Sequence, residues 1–186
     1  MARAFPGEST VQRDRTLLGE LAAAKPEALA ELYDRHAAPL FRHALTLCGR
    51  RAEAEDLVQA TFLKLATTTA DLRRVTAPAG YLHRMLHSTW IDVHRRTVVG
   101  DRVAEQIGVQ TSEPVAAIEE SIDLTRALER LAAPQREVIG LHLVEGFSFR
   151  EIGRVTGVSL FTAAARYRLG IARLRKELSR PPGERS

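Results

Sequence analysis

The most constraining feature of the sequence is a pair of helix starts, separated by a short turn, near the C-terminus. Residues 148–151 (Ser-Phe-Arg-Glu) match a capping box, in which the serine caps a helix and the glutamate three positions later reaches back to it. Residues 156–158 predict a tight turn around Gly157, and Ser159 then caps a longer helix that runs to about Leu178. Two helices joined by a three-residue turn are typical of a helix-turn-helix.

The charge of this segment favours a polyanionic partner. Between Arg150 and Arg180 eight residues are cationic and two are acidic, whereas the whole chain has a formal net charge of only +4. Cationic side chains neutralise DNA phosphates, and a recognition helix can reach base edges in the major groove. The alternative, a helical hairpin with a solvated arginine face, stays open, because helix-turn-helix geometry also occurs in proteins that never touch DNA.

The rest of the chain is also patterned as helices. Apolar residues recur at spacings of three and four from Pro26 to Leu47, and Gly49 predicts the end of that helix. Two more helices are predicted over 53–66 and from Pro78 to about residue 96. No segment alternates as a strand does. The predicted fold class is therefore all-α, with two small helical domains joined by a flexible linker.

The domain boundaries follow from a change of character in the middle of the chain. Residues 97–118 show no sustained period and contain two glycines and a proline, which makes them the predicted linker. Residues 1–14 are polar and mixed, and we expect them to form a loose arm. The predicted parts are an N-terminal arm with the start of the first helix (1–25), a first domain (26–96), the linker (97–118), a second domain (119–180) and a tail (181–186).

Composition excludes several classes of protein. Cys48 is the single cysteine, so neither an intramolecular disulfide nor a four-cysteine zinc site can form. A reducing, cytoplasmic compartment is expected. No apolar run approaches the ~20 residues of a membrane span, and the N-terminus lacks the apolar stretch of a signal peptide.

The histidines form one candidate metal pair. His83 and His87 lie four apart on one predicted helix, and His94 follows seven residues later. The sequence offers no evident third ligand, so structural or DNA-facing histidines are favoured and no metal site is expected. Neither a nucleophile triad, nor a phosphate-binding glycine loop, nor a catalytic carboxylate pair is found. The sequence therefore predicts no catalytic residues and no cofactor.

Several stretches carry a resemblance to one family. Residues 54–63 read Ala-Glu-Asp-Leu-Val-Gln-Ala-Thr-Phe-Leu, and residues 81–96 contain Tyr-Leu-His-Arg-Met-Leu-His-Ser and then Ile-Asp-Val-His-Arg-Arg. Residues 131–138 read Leu-Ala-Ala-Pro-Gln-Arg-Glu-Val, and Val-Glu-Gly-Phe-Ser follows at 144–148. In this order, with the helix-turn-helix after them, they resemble regions 2 and 4 of the extracytoplasmic-function (ECF) sigma factors.

The resemblance implies a function and a set of partners. It implies a sigma factor, without catalysis of its own, that binds core RNA polymerase and directs promoter-specific initiation. Region 2 is expected to serve the −10 element and region 4 the −35 element of promoter DNA. The expected polymerase contacts are the clamp helices of the largest subunit and the flap of the second. The chain is expected to be a monomer when free, without membrane contact. An anti-sigma factor commonly restrains such proteins.

The resemblance also assigns residues to these partners. Trp90, on the predicted −10 helix, is expected to pack in the core rather than to stack on bases. The matching positions are Glu55, Asp56, Gln59 and Phe62 for core polymerase, Arg84, Ser88, Asp92, Arg95 and Arg96 for −10 DNA, and Ser159, Leu160, Phe161, Thr162, Ala164, Arg166 and Arg173 for −35 DNA.

The chain departs from the family pattern in the recognition helix. Leu160, Phe161 and Ala164 stand where polar or cationic residues are usual, and Ser88 stands where asparagine is usual. Apolar side chains contact thymine methyl groups but do not hydrogen-bond guanine, so we expect weaker or unusual −35 discrimination.

The alternative function is a sigma-like regulatory protein that binds core polymerase or an anti-sigma partner and recognises DNA weakly. Gly170 is expected to cost its helix about 1 kcal/mol.

Overall fold

The computed structural model of the protein describes residues 8–100 and 127–179, with side chains over 10–94 and 127–179. Over these residues the chain forms helices and no strand, which confirms the all-α prediction. A 3-10 turn spans Leu72–Arg74, and residues 127–129 are helical. The α-helices are α1 (Glu8–Ala22), α2 (Glu27–Cys48), α3 (Arg51–Ala66), α4 (Pro78–Gly100), α5 (Ala133–Leu143), α6 (Phe149–Thr156) and α7 (Leu160–Leu178). We call α1–α4 the first bundle and α5–α7 the second bundle.

The N-terminal prediction was wrong over residues 8–14, which belong to α1 rather than to a loose arm. Leu18 of this helix is fully buried. Asp14 is buried too, and its carboxylate accepts a hydrogen bond from Arg35 Nε at 2.6 Å and lies 3.0 Å from His36 Nε2. These partners lie on α2. The buried carboxylate of a segment that looks polar in the sequence is therefore paired inside the fold.

The first bundle encloses one apolar core. Leucines from all four helices are buried at its centre, among them Leu18 of α1, Leu32 and Leu40 of α2, Leu65 of α3, and Leu82 and Leu86 of α4. Their spacing of three or four, or a multiple of it, within each helix puts them on one face. The stripes that the sequence shows therefore do form the core.

The helix ends mostly follow the predicted signals. Gly49 takes the left-handed conformation at φ 72° and donates its N–H to Leu45 O at 3.0 Å, which ends α2 as predicted. Helix α3 begins at Arg51, two residues before the predicted start. Helix α4 continues to Gly100, so residues 97–100 of the predicted linker are helical. The remainder of that linker lies outside the described residues.

The second bundle contains the predicted helix-turn-helix. Ser148 and Glu151 form both halves of the capping box, and Ser159 caps α7. Gly157 ends α6 in the left-handed conformation. A Cβ on Gly153 would lie 2.6 Å from Val158 O, so the turn folds back directly onto the backbone of α6.

Helices α5 and α7 also approach each other closely. A Cβ on Gly170 of α7 would lie 2.7 Å from Ile139 Cδ1 of α5 and 3.3 Å from Gln135 Cβ. The sequence predicts that Gly170 lowers the stability of its own helix. The structure shows that the same glycine lies at a close contact between two helices. Ile139 and Leu174 are buried together at this contact.

The two bundles pack against each other, with α2 and α4 facing α5 and α6. Arg42 Nε of α2 donates to Glu145 Oε1 at 2.7 Å, and Arg136 Nε of α5 donates to Thr46 O at 2.7 Å. A Cβ on Gly140 of α5 would lie 2.8 Å from Thr46 Cγ2. The chain is therefore closed on itself in a way that the sequence pattern does not predict. We call this contact the bundle interface.

Within the described part of the chain, no helix has both the length and the apolar character needed to cross a membrane.

Candidate nucleic-acid interface

The first turn of α7 presents an apolar surface to solvent. Phe161 is 77% exposed and Leu160 is 39% exposed. Ser159 Oγ accepts the Thr162 N–H at 3.0 Å, and the two hydroxyls lie 2.9 Å apart. Ala164 is half-buried. The turn is capped, and its largest exposed groups are the Leu160 and Phe161 side chains, which offer methyl and ring groups to a base edge.

The cationic residues of α7 follow this apolar turn along the helix. Arg168 and Arg173 are exposed, and Arg166 is half-buried. The Arg173 guanidinium donates to Gln135 Oε1 of α5 at 3.3 Å, which orients it without neutralising its charge. The arrangement suits phosphate contacts, since such contacts need charge but no base-specific geometry.

One face of α4 brings three polar residues together with a lysine of α3. Lys64 Nζ lies 3.2 Å from Asp92 Oδ2 and 3.4 Å from Ser88 Oγ. Ser88 Oγ also donates to Met85 O at 2.9 Å, and Arg84 is exposed nearby on the same helix. Lys64 was missed by sequence reasoning, because its partners lie 24 and 28 residues away.

The C-terminal half of α4 contains two more predicted −10 residues and the predicted core residue Trp90. The side chains of Arg95 and Arg96 lie outside the described residues. Trp90 is half-buried, packs against the core of the first bundle and stacks on His94 with ring centroids 4.9 Å apart. The tryptophan therefore packs against the core, as expected.

The exposed face of α3 carries the predicted polymerase-binding residues. Glu55, Asp56 and Gln59 are all exposed, and Arg51 Nε donates to Glu55 Oε1 at 2.8 Å. A shallow cleft beside them is lined by residues of α2 and α3, including Tyr33, Phe41, Glu55 and Gln59. This face is polar at its rim and apolar at its base, as protein docking surfaces often are.

Phe62, in the same predicted set, lies below this surface. It is 5% exposed, and its ring packs on Tyr33 with centroids 4.8 Å apart. Its contribution to a partner would therefore be to support Tyr33 and the helix rather than to make contact itself.

Sequence reasoning also missed a buried polar cluster in the bundle interface. Glu137 Oε1 of α5 lies 2.9 Å from His43 Nε2 of α2 and 2.6 Å from His87 Nδ1 of α4. Burial alone would raise the pKa of Glu137, but the hydrogen bonds from both imidazoles outweigh it and hold the pKa at about 2. His83 stands behind His43, and burial lowers its pKa well below the usual value. The histidine spacing was visible in the sequence, but the glutamate 50 residues away was not.

Comparison of the sequence with known proteins identifies the family of this chain. The family model for sigma-70 region 2 matches residues 32–98, and the one for sigma-70 region 4 matches residues 121–174. The ECF RNA polymerase sigma factor SigL of Mycobacterium tuberculosis is 33% identical over 165 residues, which span 84% of this chain and 92% of SigL. This chain belongs to the ECF sigma factor family. It is a promoter-directing sigma factor that acts with RNA polymerase.

A further relative and two solved structures are also similar to this chain, and the structure below 25% identity shows the fold alone. The RNA polymerase sigma factor CarQ of Myxococcus xanthus is 30% identical over 158 residues, or 82% of this chain and 90% of CarQ. The sigma factor RpoE of Bartonella quintana, solved with the anti-sigma factor NepR, superposes with a TM-score of 0.63 at 25% identity, over 80% of this chain and 94% of RpoE. CnrH, solved with the cytosolic domain of CnrY, gives a TM-score of 0.65 at 24% identity, over 89% of this chain and 97% of CnrH.

Proposed function

We propose that this sigma factor binds the clamp helices of the largest polymerase subunit through α3, and the flap of the second subunit through the second bundle. The exposed residues Glu55, Asp56 and Gln59 support the first contact, because Glu55 and Gln59 line an open cleft and Asp56 is exposed on the same helix. Such a protein acts in the cytoplasm, where the chromosome and core polymerase are.

We further propose that α4 recognises the −10 element and that α7 recognises the −35 element. The observation that carries this assignment is the capped helix-turn-helix in which α7 begins with the exposed residues Leu160 and Phe161. On α4, Arg84 supplies a phosphate contact, while Ser88 and Asp92 address the single strand. The resemblance assigns Arg95 and Arg96 to phosphate contacts as well. We propose residues 26–96 and 119–180 as the two functional units, with α1 joined to the first because Leu17 and Leu18 lie in its core.

This assignment requires the bundle interface to open at a promoter. The two elements are centred about 25 base pairs apart, which is roughly 85 Å of B-form DNA at 3.4 Å per base pair. A compact chain of 186 residues is only about 40 Å across. Because α4 packs against α6, the closed arrangement cannot reach both elements at once. We infer that the closed form is a resting state and that core polymerase holds the open form.

Charge reversal tests the polymerase surface. Asp56→Arg is expected to weaken binding to core polymerase at least tenfold, measured by fluorescence anisotropy with the full-length chain. The matched control is Glu27→Arg, which reverses another exposed acid, at the start of α2, and is expected to change the affinity less than twofold. Equal affinities for the two variants would contradict the α3 assignment.

Promoter melting tests the α4 surface. Arg84→Ala and Asp92→Ala are each expected to lower open-complex formation at least fivefold while core binding stays within twofold of the parent. Arg73→Ala, an exposed arginine of the 3-10 turn, is the control. A loss of core binding in the α4 variants, or an equal loss in the control, would overturn the assignment.

The exposed Phe161 also favours the second candidate, an interaction protein with weak DNA recognition. Randomising the −35 element distinguishes the two on a single template set. Partial retention of transcription is expected for a sigma factor with an apolar recognition turn. Complete loss would refute the prediction of weak discrimination, and stable core binding without any promoter-dependent start would favour the second candidate.

An anti-sigma factor is a further proposed partner. The likeness to RpoE, which was solved with the anti-sigma factor NepR, supports it. Copurification of the chain with a protein that blocks its binding to core polymerase is the expected observation.

A further inference from the structure

Three potential metal ligands meet in the bundle interface. His43 is buried on α2, His87 is mostly buried on α4, and Glu137 is buried on α5. Their ligand atoms (His43 Nε2, His87 Nδ1 and one Glu137 carboxylate oxygen) all lie within 4.8 Å of one another. Two of the ligands come from the first bundle and one from the second, so anything bound to all three joins the bundles.

The ligand types fit a transition metal of the zinc class. Zinc in proteins is bound by imidazole nitrogen and carboxylate oxygen at about 2.0–2.2 Å, which separates neighbouring ligands of a tetrahedron by about 3.3 Å. The carboxylate oxygen now lies 2.9 Å from one imidazole nitrogen and 2.6 Å from the other. The two imidazole nitrogens lie within 4.8 Å of each other, so adjustments of about 1 Å in the ligand positions would admit the ion, with the fourth position left to water.

The surroundings of the cluster resemble those of a metal centre. His43 Nδ1, on the far side of the ring from Glu137, lies 3.0 Å from His83 Nδ1, so a hydrogen bond holds the imidazole in place. Such outer contacts orient the ligands of a metal. Phe147 packs edge-on against His83 with centroids 5.0 Å apart, and Trp90 lies beside His87 with centroids 6.0 Å apart. These rings restrict water around the three ligands.

We propose that His43, His87 and Glu137 form a binding site for a divalent zinc-class ion that holds the two bundles in the closed arrangement. The consequence for transcription rests on the proposed function: an ion that favours the closed form opposes simultaneous contact with the −10 and −35 elements. Metal binding itself does not depend on that function.

Metal titration of the full-length protein, prepared without a histidine tag and stripped by chelator, tests the site directly. We expect one equivalent of Zn²⁺ by calorimetry, and one equivalent of Co²⁺ with visible absorption bands of a tetrahedral complex. Glu137→Gln and His87→Asn are each expected to weaken Zn²⁺ binding at least tenfold. His94→Asn, which removes an exposed histidine of the same helix, is expected to stay within twofold.

A second measurement asks whether the ion joins the bundles. Donor and acceptor dyes at Thr69→Cys and Lys176→Cys, both exposed, report separation of the bundles on a Cys48→Ser background. In a urea titration, Zn²⁺ at 100 times its dissociation constant is expected to lower the opening equilibrium constant about 100-fold. Glu137→Gln should abolish most of that shift.

The outcomes separate this proposal from the proposed function. Absence of stoichiometric binding, binding that survives both ligand variants, or an opening equilibrium unaffected by Zn²⁺ would overturn the metal site, even in a protein that transcribes normally. Site-specific binding with the expected shift would support the metal site even if promoter-dependent transcription failed. Where both hold, Zn²⁺ is expected to reduce transcription by the parent chain and not by Glu137→Gln.

Discussion

Replacing Gly153 by alanine tests whether the helix-turn-helix is closed by backbone packed on backbone. A Cβ at this position would lie 2.6 Å from Val158 O and 3.4 Å from Leu160 N. Carbon atoms in folded proteins do not approach carbonyl oxygens that closely, so α6 and the turn have to move apart. The obstructing atoms belong to the backbone, and no side chain can rotate to make room.

Two opposing effects set the size of the change. Alanine is favoured over glycine in a helix by about 1 kcal/mol. Overpacking usually costs about 1–3 kcal/mol, and the backbone obstruction puts Gly153 in the upper part of that range. The net expectation is a loss of about 1–2 kcal/mol in the free energy of unfolding. For a chain of this size the melting temperature should fall by roughly 2–8 °C.

Gly80→Ala is the matched control, because Gly80 also lies in a helix and a Cβ there would meet no atom within 4 Å. Propensity then acts alone, and the melting temperature should rise by roughly 2–4 °C. Differential scanning calorimetry of both variants in one metal-free buffer is the assay. Stabilisation by both substitutions would refute the reasoning, since the clash would then be absent in solution.

Two further predictions concern other parts of the fold. Gly140→Ala places a Cβ 2.8 Å from Thr46 Cγ2, so the free energy of opening the bundle interface should fall by about 1 kcal/mol. In the dye-pair assay the urea midpoint of opening should therefore be lower than in the parent, and an unchanged midpoint would contradict the closed arrangement. Burial raises the pKa of Asp14, but the contacts with His36 and Arg35 outweigh it, so the pKa is lowered overall. The ionised Asp14 carboxylate therefore stabilises the fold above its unfolded pKa of about 3.8, and this stabilisation is lost as pH falls through the lower folded pKa. The melting-temperature difference between the parent and Asp14→Asn should therefore shrink as pH falls from about 4.5 towards 3, and a difference that grew within that window would contradict the sign.

The helices and their ends were largely predictable from local chemistry. Gly49, Ser148 and Ser159 act on backbone groups within four residues of themselves, so their sequence context contains all the information required. The apolar stripes of the first bundle were equally visible, because helical spacing alone decides which residues share a face.

The parts that could not be predicted depend on partners far along the chain. Asp14 reads as a surface residue until Arg35, 21 positions later, is placed beside it. Glu137 reads as an ordinary charge of an amphipathic helix until His43, 94 positions earlier, meets it in the bundle interface. A polar residue is buried only where such a partner satisfies it, and the sequence pattern does not reveal which pairs will meet.

The candidate site divides in the same way. The family resemblance assigned Glu55, Asp56 and Phe161 to partner surfaces, and all three are exposed. Lys64 joined the α4 face only through the packing of α3 on α4, which no local rule supplies.

Transcription with purified components measures directly whether this chain directs core RNA polymerase to promoters. The full-length protein is mixed with bacterial core RNA polymerase and a fragmented genomic library, and the 5′ ends of the transcripts are mapped. We predict discrete start sites, absent with core polymerase alone, that share upstream elements near −10 and −35. A folded chain that yields no new start sites with a compatible core enzyme would contradict it.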